Sequence, residues 1–441
     1  MTCGRCARRA LNAAHTFTTG ERVEACHPKN QEVGDAPVTT QVVLDLDQPV
    51  RLYPLVYLAE GDEVTIGRTD IDSYGIFPAD GAAAVRRLAD GDTPRQVARW
   101  FEQQYGEVLE IAELLAGLAE LELVRTSEQD GACPARIRYQ RLGRVLFSPP
   151  AWAGYAALFG WAVLDLVRQP DLVLSYNQFF FSSYYTVIQL GLLIAAIPLL
   201  LLHESFHALA GRRLGVRSSL RLSWRFYFLV LETSLDGLVV VPRRKRYLPI
   251  LAGILADLLA VAACIVIADL TRHPDGSLSL VGRFLLAVAF AELFRVAWQF
   301  FCYLRTDIYV LISTVLGCVD LHTTARRLLS NRLNRLLSRP AVYDEAEFHP
   351  VDRRAAGWYC WLLPVGYAFS LVTFVGGALP VIVRMARGVV QRLTTGDGGT
   401  SHVVDAVIVT VFTIAQLSLV AGLALRRRIK DRRRSGSYVL G

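Results

Sequence analysis

Two histidines and a glutamate, His203, Glu204 and His207, stand in the stretch "LLLHESFHALAGRRLG" at 199–214 as an H-E-x-x-H pattern. On a helix, residues four apart lie one above the other, so both imidazoles can reach a single cation with Glu204 beside it. Zn2+ takes such ligands, and a zinc site that does chemistry has three protein ligands and leaves a fourth position to water. A glutamate next to that water is placed to act as general base. The third ligand must come from elsewhere in the chain, and the carboxylates at comparable depth are Asp257 in "LAGILADLLA", Glu292 in "FAELFR" and Asp307 in "FCYLRTDIYVL". Glu292 precedes Arg295 by three residues on one helix, which suits an internal ion pair. Asp257 falls in mid-helix, where hydrogen bonding is the simpler role. Asp307 lies at the predicted cytosolic end of the fourth apolar run, level with His203 and His207 at the end of the second. All of these groups are costly at membrane depth, and ionisable residues kept there are functional by default.

The elements that must position them are apolar. Hydrophobic residues make up 53% of the 441 residues, and the mean hydropathy is +0.33; both values point to a membrane protein. Six runs are each long enough to span, at 150–167, 180–202, 248–270, 282–304, 357–383 and 403–425. The net charge of +7 comes from basic residues gathered at the ends of these runs, in "GRRLGVRSSLR", "PRRKR", "ARRLLSNRLNRLLSR" and "RRRIKDRRR". Such placement orients a chain in a bilayer and does not build a nucleic-acid surface. With an even count, both termini are expected on the cytosolic side of the cell membrane, although Arg384, Arg387 and Arg392 in the loop 384–402 run against that pattern. The stretch 220–241, "LRLSWRFYFLVLETSLDGLVVV", is aromatic and β-branched but carries Arg225, Glu232 and Asp236. It reads as a β-hairpin or re-entrant sheet shielded beside a cavity.

Ahead of the spans lies a soluble region. Residues 1–36 lack period and lack a signal peptide, and read as poorly ordered. Their Cys3, Cys6, Cys26 and His27 are potential zinc ligands, but the spacing matches no common finger. The eight cysteines of the chain are scattered and form no disulfide framework. From 37 to 126, "QVVLDL", "RLYPLVYLAEG", "EVTIGR" and "YGIFPAD" read as extended pieces. Three helices follow, the second opened by Thr93 as N-cap and Pro94 at the first helical position, the third expected over 107–124. Strands followed by three helices suggest a winged helix. The third helix carries Glu107, Glu110, Glu113, Glu120 and Glu122 and no Lys or Arg, which excludes a DNA-reading role. A basic linker at 127–148 holds Arg136, Arg138, Arg141 and Arg144; the membrane-embedded domain covers 149–426, and a basic cytosolic tail covers 427–441. The expected fold is therefore a multi-pass α-helical membrane protein of about six spans with an N-terminal soluble α+β winged-helix domain.

Residues from about 40 to 126 resemble the PqqD-like domains of ribosomal peptide modification, through "GRTDIDSYGIFPADGAAAVRRLADGDTPRQVARWFEQQYGE". That resemblance implies recognition of a leader peptide added as a strand at the sheet edge. The core from about 180 to 330 resembles the site-2 protease class of intramembrane zinc metallopeptidases, and within it the peptide zinc metalloprotease branch. The matching pieces are "HESFHALAGRRLGV", "VPRRKRYLPILAGILAD" and "YLRTDIYVLISTVLGCVDL". The resemblance implies His203, His207 and Asp307 as zinc ligands and Glu204 as the catalytic base. Ile308 stands where the family has glycine after the aspartate, and the Asn-Pro that often precedes it is missing.

The implied activity is cleavage of a peptide or membrane-anchored protein near the cytosolic face, with the N-terminal domain recognising the substrate and the segment 220–241 pairing with it once extended. The alternative is a noncatalytic membrane scaffold, or a peptide chaperone or export factor for a ribosomally synthesised modified peptide. The presence of Glu204 favours the enzyme, because a structural zinc site does not need it. The expected partners are a peptide or membrane-protein substrate and the lipid bilayer, with no nucleic acid. No cofactor beyond zinc is implied, since phosphate loops, serine elbows and dinucleotide fingerprints do not occur in the sequence.

Overall fold

The structure is a computed structural model that describes residues 45–71, 73–125, 137–225, 228–236, 238–396 and 398–437. Cys3, Cys6, Cys26 and His27 lie outside the described residues, as do 1–36 and the first part of the linker, 127–136; its remainder holds a short helix, Gln140–Leu146. The chain divides into two compact units, Met1–Arg136 with Asp236–Arg246, and Ile137–Leu235 with Tyr247–Gly441.

The first unit holds a three-stranded antiparallel sheet in the order β1 (Val56–Glu60), β2 (Glu63–Arg68), β3 (Ser73–Pro78). Gly61, at φ +69°, makes the tight turn that sets Glu60 opposite Glu63. Helices α1 (Ala79–Asp90), α2 (Pro94–Tyr105) and α3 (Ile111–Glu120) follow. Thr93 starts α2 through a reciprocal box: its hydroxyl accepts the Gln96 N–H, and the Gln96 side chain accepts the Thr93 N–H. Ile66, Val85, Leu88, Val97, Leu118 and Leu123 are fully buried and form the core. The third helix is shorter than the expected 107–124. Its apolar tail leaves the helix at Leu121 so that Val124 can bridge Leu52 and Leu123 can enter the core. Asp45 and Leu46, the described end of "QVVLDL", are not strand. Within this unit Glu60 accepts the backbone N–H and Nε of Arg243 and pairs with Arg246.

The second unit is mostly helical. It contains α4 (Gln140–Leu146), α5 (Pro149–Arg168), α6 (Tyr185–Arg213), and the hairpin β4 (Arg217–Arg225) and β5 (Phe228–Asp236). Next come α7 (Arg243–Leu270), which belongs to this unit from Tyr247 onward, α8 (Leu280–Trp298), α9 (Asp307–Leu316) and α10 (Leu321–Leu336). The chain continues through α11 (Pro350–Thr373), a π turn (Phe374–Ala378), α12 (Leu379–Thr395) and α13 (Thr400–Ser437). Among the described residues five helical stretches are long and apolar enough to cross a membrane: α5, α6, α7, Pro350–Thr395 and Thr400–Leu423. A sixth is possible if α9 and α10, bent by 89°, make one broken span. Helix α8 was expected among the spans but is not among these five; it carries Arg283, Glu292 and Arg295. It also ends at Trp298, so Asp307 starts a new helix and does not close that run.

Helix α7 is the centre of this unit. Of its most apolar window 67% is buried, against 6% for α6, whose Leu193, Ile194 and Ile197 face outward. Cys264, Ile265 and Ala268 of α7 pack with Leu286, Val288 and Ala289 of α8. Gly143 of α4 lies so close to the Leu209 carbonyl of α6 that an added Cβ would overlap it. At the start of α6, the buried Asp405 of α13 accepts the N–H groups of Tyr185 and Thr186, at 2.7 and 2.9 Å, and pairs with Arg392 at 2.9 Å. This carboxylate does from another helix what a local N-cap usually does. Replacing Asp405 with Ala should destabilise the domain by about 3 kcal/mol, because Arg392 is left unpaired and two helix donors unmet. Thermal unfolding of the detergent-solubilised protein would read this as a lowered midpoint, with Asp405→Asn losing less; an unchanged midpoint would contradict it.

Candidate metal centre

Three ligand atoms meet at one point of the second unit. His203 Nε2 and His207 Nε2 are 3.1 Å apart, and Asp307 Oδ2 lies 3.4 Å from the first and 3.3 Å from the second. His203 and His207 project from α6, one turn apart, while Asp307 is the first residue of α9. Their placement follows from local sequence. Pro198 sits inside α6 ahead of the motif, yet the helix runs on to Arg213, so the histidines hold helical spacing through the apolar end. After α8 stops, Gln299 folds back: its Oε1 accepts the Asp307 N–H at 3.0 Å, and its carbonyl accepts the Thr306 hydroxyl at 2.7 Å. These two bonds fix the entry of α9 and with it the Asp307 carboxylate.

The hydrogen bonds on the far side of each ring decide what the near side offers. His207 Nδ1 is 2.7 Å from the Pro249 carbonyl, an acceptor only, so Nδ1 carries the proton. His203 Nδ1 is 3.0 and 2.9 Å from the two oxygens of Asp257, which likewise makes it a donor. In their neutral form both rings then present Nε2 lone pairs to each other and to Asp307 Oδ2, a buried oxygen that no hydrogen-bond donor reaches. Three electron pairs directed at one point repel unless a cation lies among them. In a tetrahedral site with bonds of ~2.0–2.1 Å, ligand atoms are ~3.3 Å apart; the observed edges of 3.1, 3.3 and 3.4 Å fit that spacing. The group could therefore hold a metal ion.

Charge points the same way. Asp257 and Asp307 contact the two rings and Glu204 adjoins His203, while Glu292 is paired with Arg295 away from this point. A buried excess of negative charge is unfavourable without a counter-cation. Glu204, next to His203, is buried and is held at both ends by Thr233 of β5: its Oε2 accepts the Thr233 N–H at 2.8 Å, and its carbonyl accepts the Thr233 hydroxyl at 3.0 Å.

The two other carboxylates weighed as third ligands stand elsewhere. Asp257 is on the Nδ1 side of His203, away from the point where the lone pairs meet. Glu292 pairs with Arg295 at 2.7 Å. Sequence reasoning did not single out Pro249, Gly253 or Thr233. The first two share with Asp257 a four-residue period, "PILAGILAD", that puts them on one face of α7, and this period was the available signal. Pro249 meets His207, Asp257 meets His203, and Gly253 lies between them, so close that an added Cβ would collide with both Nε2 atoms.

The cradle gives a direct test. Gly253→Ala should abolish metal uptake while leaving the helical fold, read by metal content and circular dichroism. As a control, Gly357→Ala in α11, where a Cβ meets nothing within 4 Å, should leave metal content unchanged and add up to ~1 kcal/mol of helix stability. Equal metal content in the two variants would contradict the placement of Gly253. Protein families, curated proteins and solved structures were all compared with this chain, and none matches it.

Proposed function

We propose that this chain is a membrane-embedded zinc endopeptidase of the site-2 protease kind. It would hydrolyse a peptide bond in a peptide or membrane-anchored protein near the cytosolic face of the cell membrane, with both termini cytosolic. The N-terminal unit would recognise the substrate through its sheet edge. The observation that carries the reading is the convergence of two imidazole Nε2 atoms and one carboxylate oxygen at tetrahedral spacing, with a glutamate next to the first imidazole. Two nitrogens and one oxygen from the protein are the donor set of a catalytic zinc site, and a site that only stabilises a fold is usually closed by a fourth protein ligand.

In this reading His203, His207 and Asp307 hold the metal. When bound, zinc supplies Lewis acidity to the scissile carbonyl and to the attacking water. Glu204 takes the proton from the water as its oxygen adds to the carbonyl carbon, and returns it to the leaving nitrogen as the C–N bond breaks. Thr233 keeps the Glu204 carboxylate from turning away, since it grips both the side chain and the backbone of that residue. The same contact sets β5 beside the site, where an extended substrate could pair with the strand. A helical substrate has its carbonyls bonded internally and must extend before attack.

Metal content and hydrolysis test this together. The detergent-purified chain should carry about one zinc, lost in His203→Ala and Asp307→Ala and kept in Glu204→Gln. Against a peptide library read by mass spectrometry, Glu204→Gln should cut hydrolysis by ~10²–10⁴-fold. A folded wild type without zinc would overturn the reading. Zinc with hydrolysis that does not depend on Glu204 would favour the noncatalytic scaffold or export factor.

A further inference from the structure

The support behind His203 differs from the support behind His207. His207 rests on a neutral carbonyl, Pro249 O, whereas both oxygens of a fully buried carboxylate, Asp257, face His203 Nδ1. Asp257 has a second partner, Arg295 of α8. The Nη2 of Arg295 also lies 2.7 Å from the Glu292 carboxylate and donates to the Leu199 carbonyl of α6 at 3.2 Å. A continuous line therefore runs from His203 through Asp257 and Arg295 to Glu292, crossing α6, α7 and α8. None of its last three members faces the point where the ligand atoms meet.

We propose that Asp257 and Arg295 are positioning residues of the metal site, Asp257 by orienting His203 and Arg295 by fixing Asp257; this rests on the zinc reading above. A carboxylate behind a ligating imidazole fixes the tautomer and the ring plane, as a carbonyl does, and it also makes the ligand more basic. Its charge brings a difficulty of its own, because an unanchored carboxylate beside a cation can turn and compete as a ligand. Arg295 removes that freedom. It holds Asp257 on the Nδ1 side of the ring and is itself tied to Glu292 and to the α6 backbone. An ordinary interhelical ion pair between α7 and α8 would not require both Asp257 oxygens to face Nδ1. Metal affinity thus depends on Arg295, two residues removed from the metal.

The test uses the full chain in detergent, zinc affinity by competition with a chromophoric chelator, and the visible spectrum after Co2+ substitution as a report on ligand geometry. Asp257→Ala should weaken zinc binding by about 10–100-fold and shift the Co2+ bands. Asp257→Asn, which keeps an oxygen that can accept the Nδ1 proton, should recover part of the loss. Arg295→Gln should weaken binding in the wild-type background and add little in the Asp257→Asn background, because the two act in series. Glu292→Gln added to the double variant removes the whole ion-pair line, Asp257, Arg295 and Glu292, and so avoids the unpaired charge that could unfold either single variant. Asp257→Ala with wild-type affinity and an unchanged Co2+ spectrum, or fully additive effects of the two substitutions, would overturn the proposal while leaving the zinc site standing. A folded wild type that binds no zinc would overturn both, and the two failures are thereby distinguished.

Discussion

Two imidazole Nε2 atoms 3.1 Å apart, with a carboxylate oxygen 3.3–3.4 Å from both, repel one another unless protons or a metal cation lie among them. A proton placed on one ring would satisfy one contact and leave the other ring facing the carboxylate. A divalent cation satisfies all three. Much of the second unit is arranged so that this meeting of ligand atoms is enforced. The donors behind each ring are already committed, the helix beneath has no Cβ at the point of contact, and the loop before Asp307 is closed by its own hydrogen bonds.

Helix α7 carries most of that arrangement while supplying no ligand. Its Pro249, Gly253 and Asp257, spaced by four, form a strip that faces the two histidines along the axis of α6. Glycine at the middle position lets the helix backbone lie against the imidazoles, where any side chain would occupy the space of the metal. The burial of α7 explains why it can do this. With so much of its apolar length packed against neighbours, including α8, its position is fixed by packing on several sides, whereas the outward face of α6 is left to lipid-like surroundings. A site assembled on rigid helices holds its geometry better than one built on loops. The exception, Asp307, is made rigid by placing it in the first turn of α9 beneath the Gln299 side chain.

How far the sequence foretold this depends on the range over which each feature is encoded. The histidine pair and its glutamate were legible because a helical period of four residues is local, as were the strands of the first unit and the Thr93 cap of its second helix. The apolar runs were legible from composition, and five of the six expected regions are long apolar helices. The run at 282–304 ended early and held three charges, because Glu292 and Arg295 belong to a buried ion-pair line that hydropathy alone does not distinguish from an interrupted span. The bend between α9 and α10 falls within "YLRTDIYVLISTVLGCVDL", ahead of the arginine-rich segment, where no break was expected from the sequence. What stayed hidden were contacts between distant segments. Thr233 with Glu204, Asp257 with Arg295, and Gly253 beneath both rings each join helices or strands well separated in sequence. Their residue types gave little sign of it, since a glycine or a threonine in an apolar stretch has many ordinary explanations.

The most direct measurement is X-ray absorption at the zinc edge on the purified, zinc-loaded chain. The account predicts a first shell of nitrogen and oxygen only, at ~2.0–2.2 Å, with the outer-shell scattering of two imidazoles. Sulfur at ~2.3 Å would contradict it, because the three converging residues contain none and the metal would then lie elsewhere in the chain.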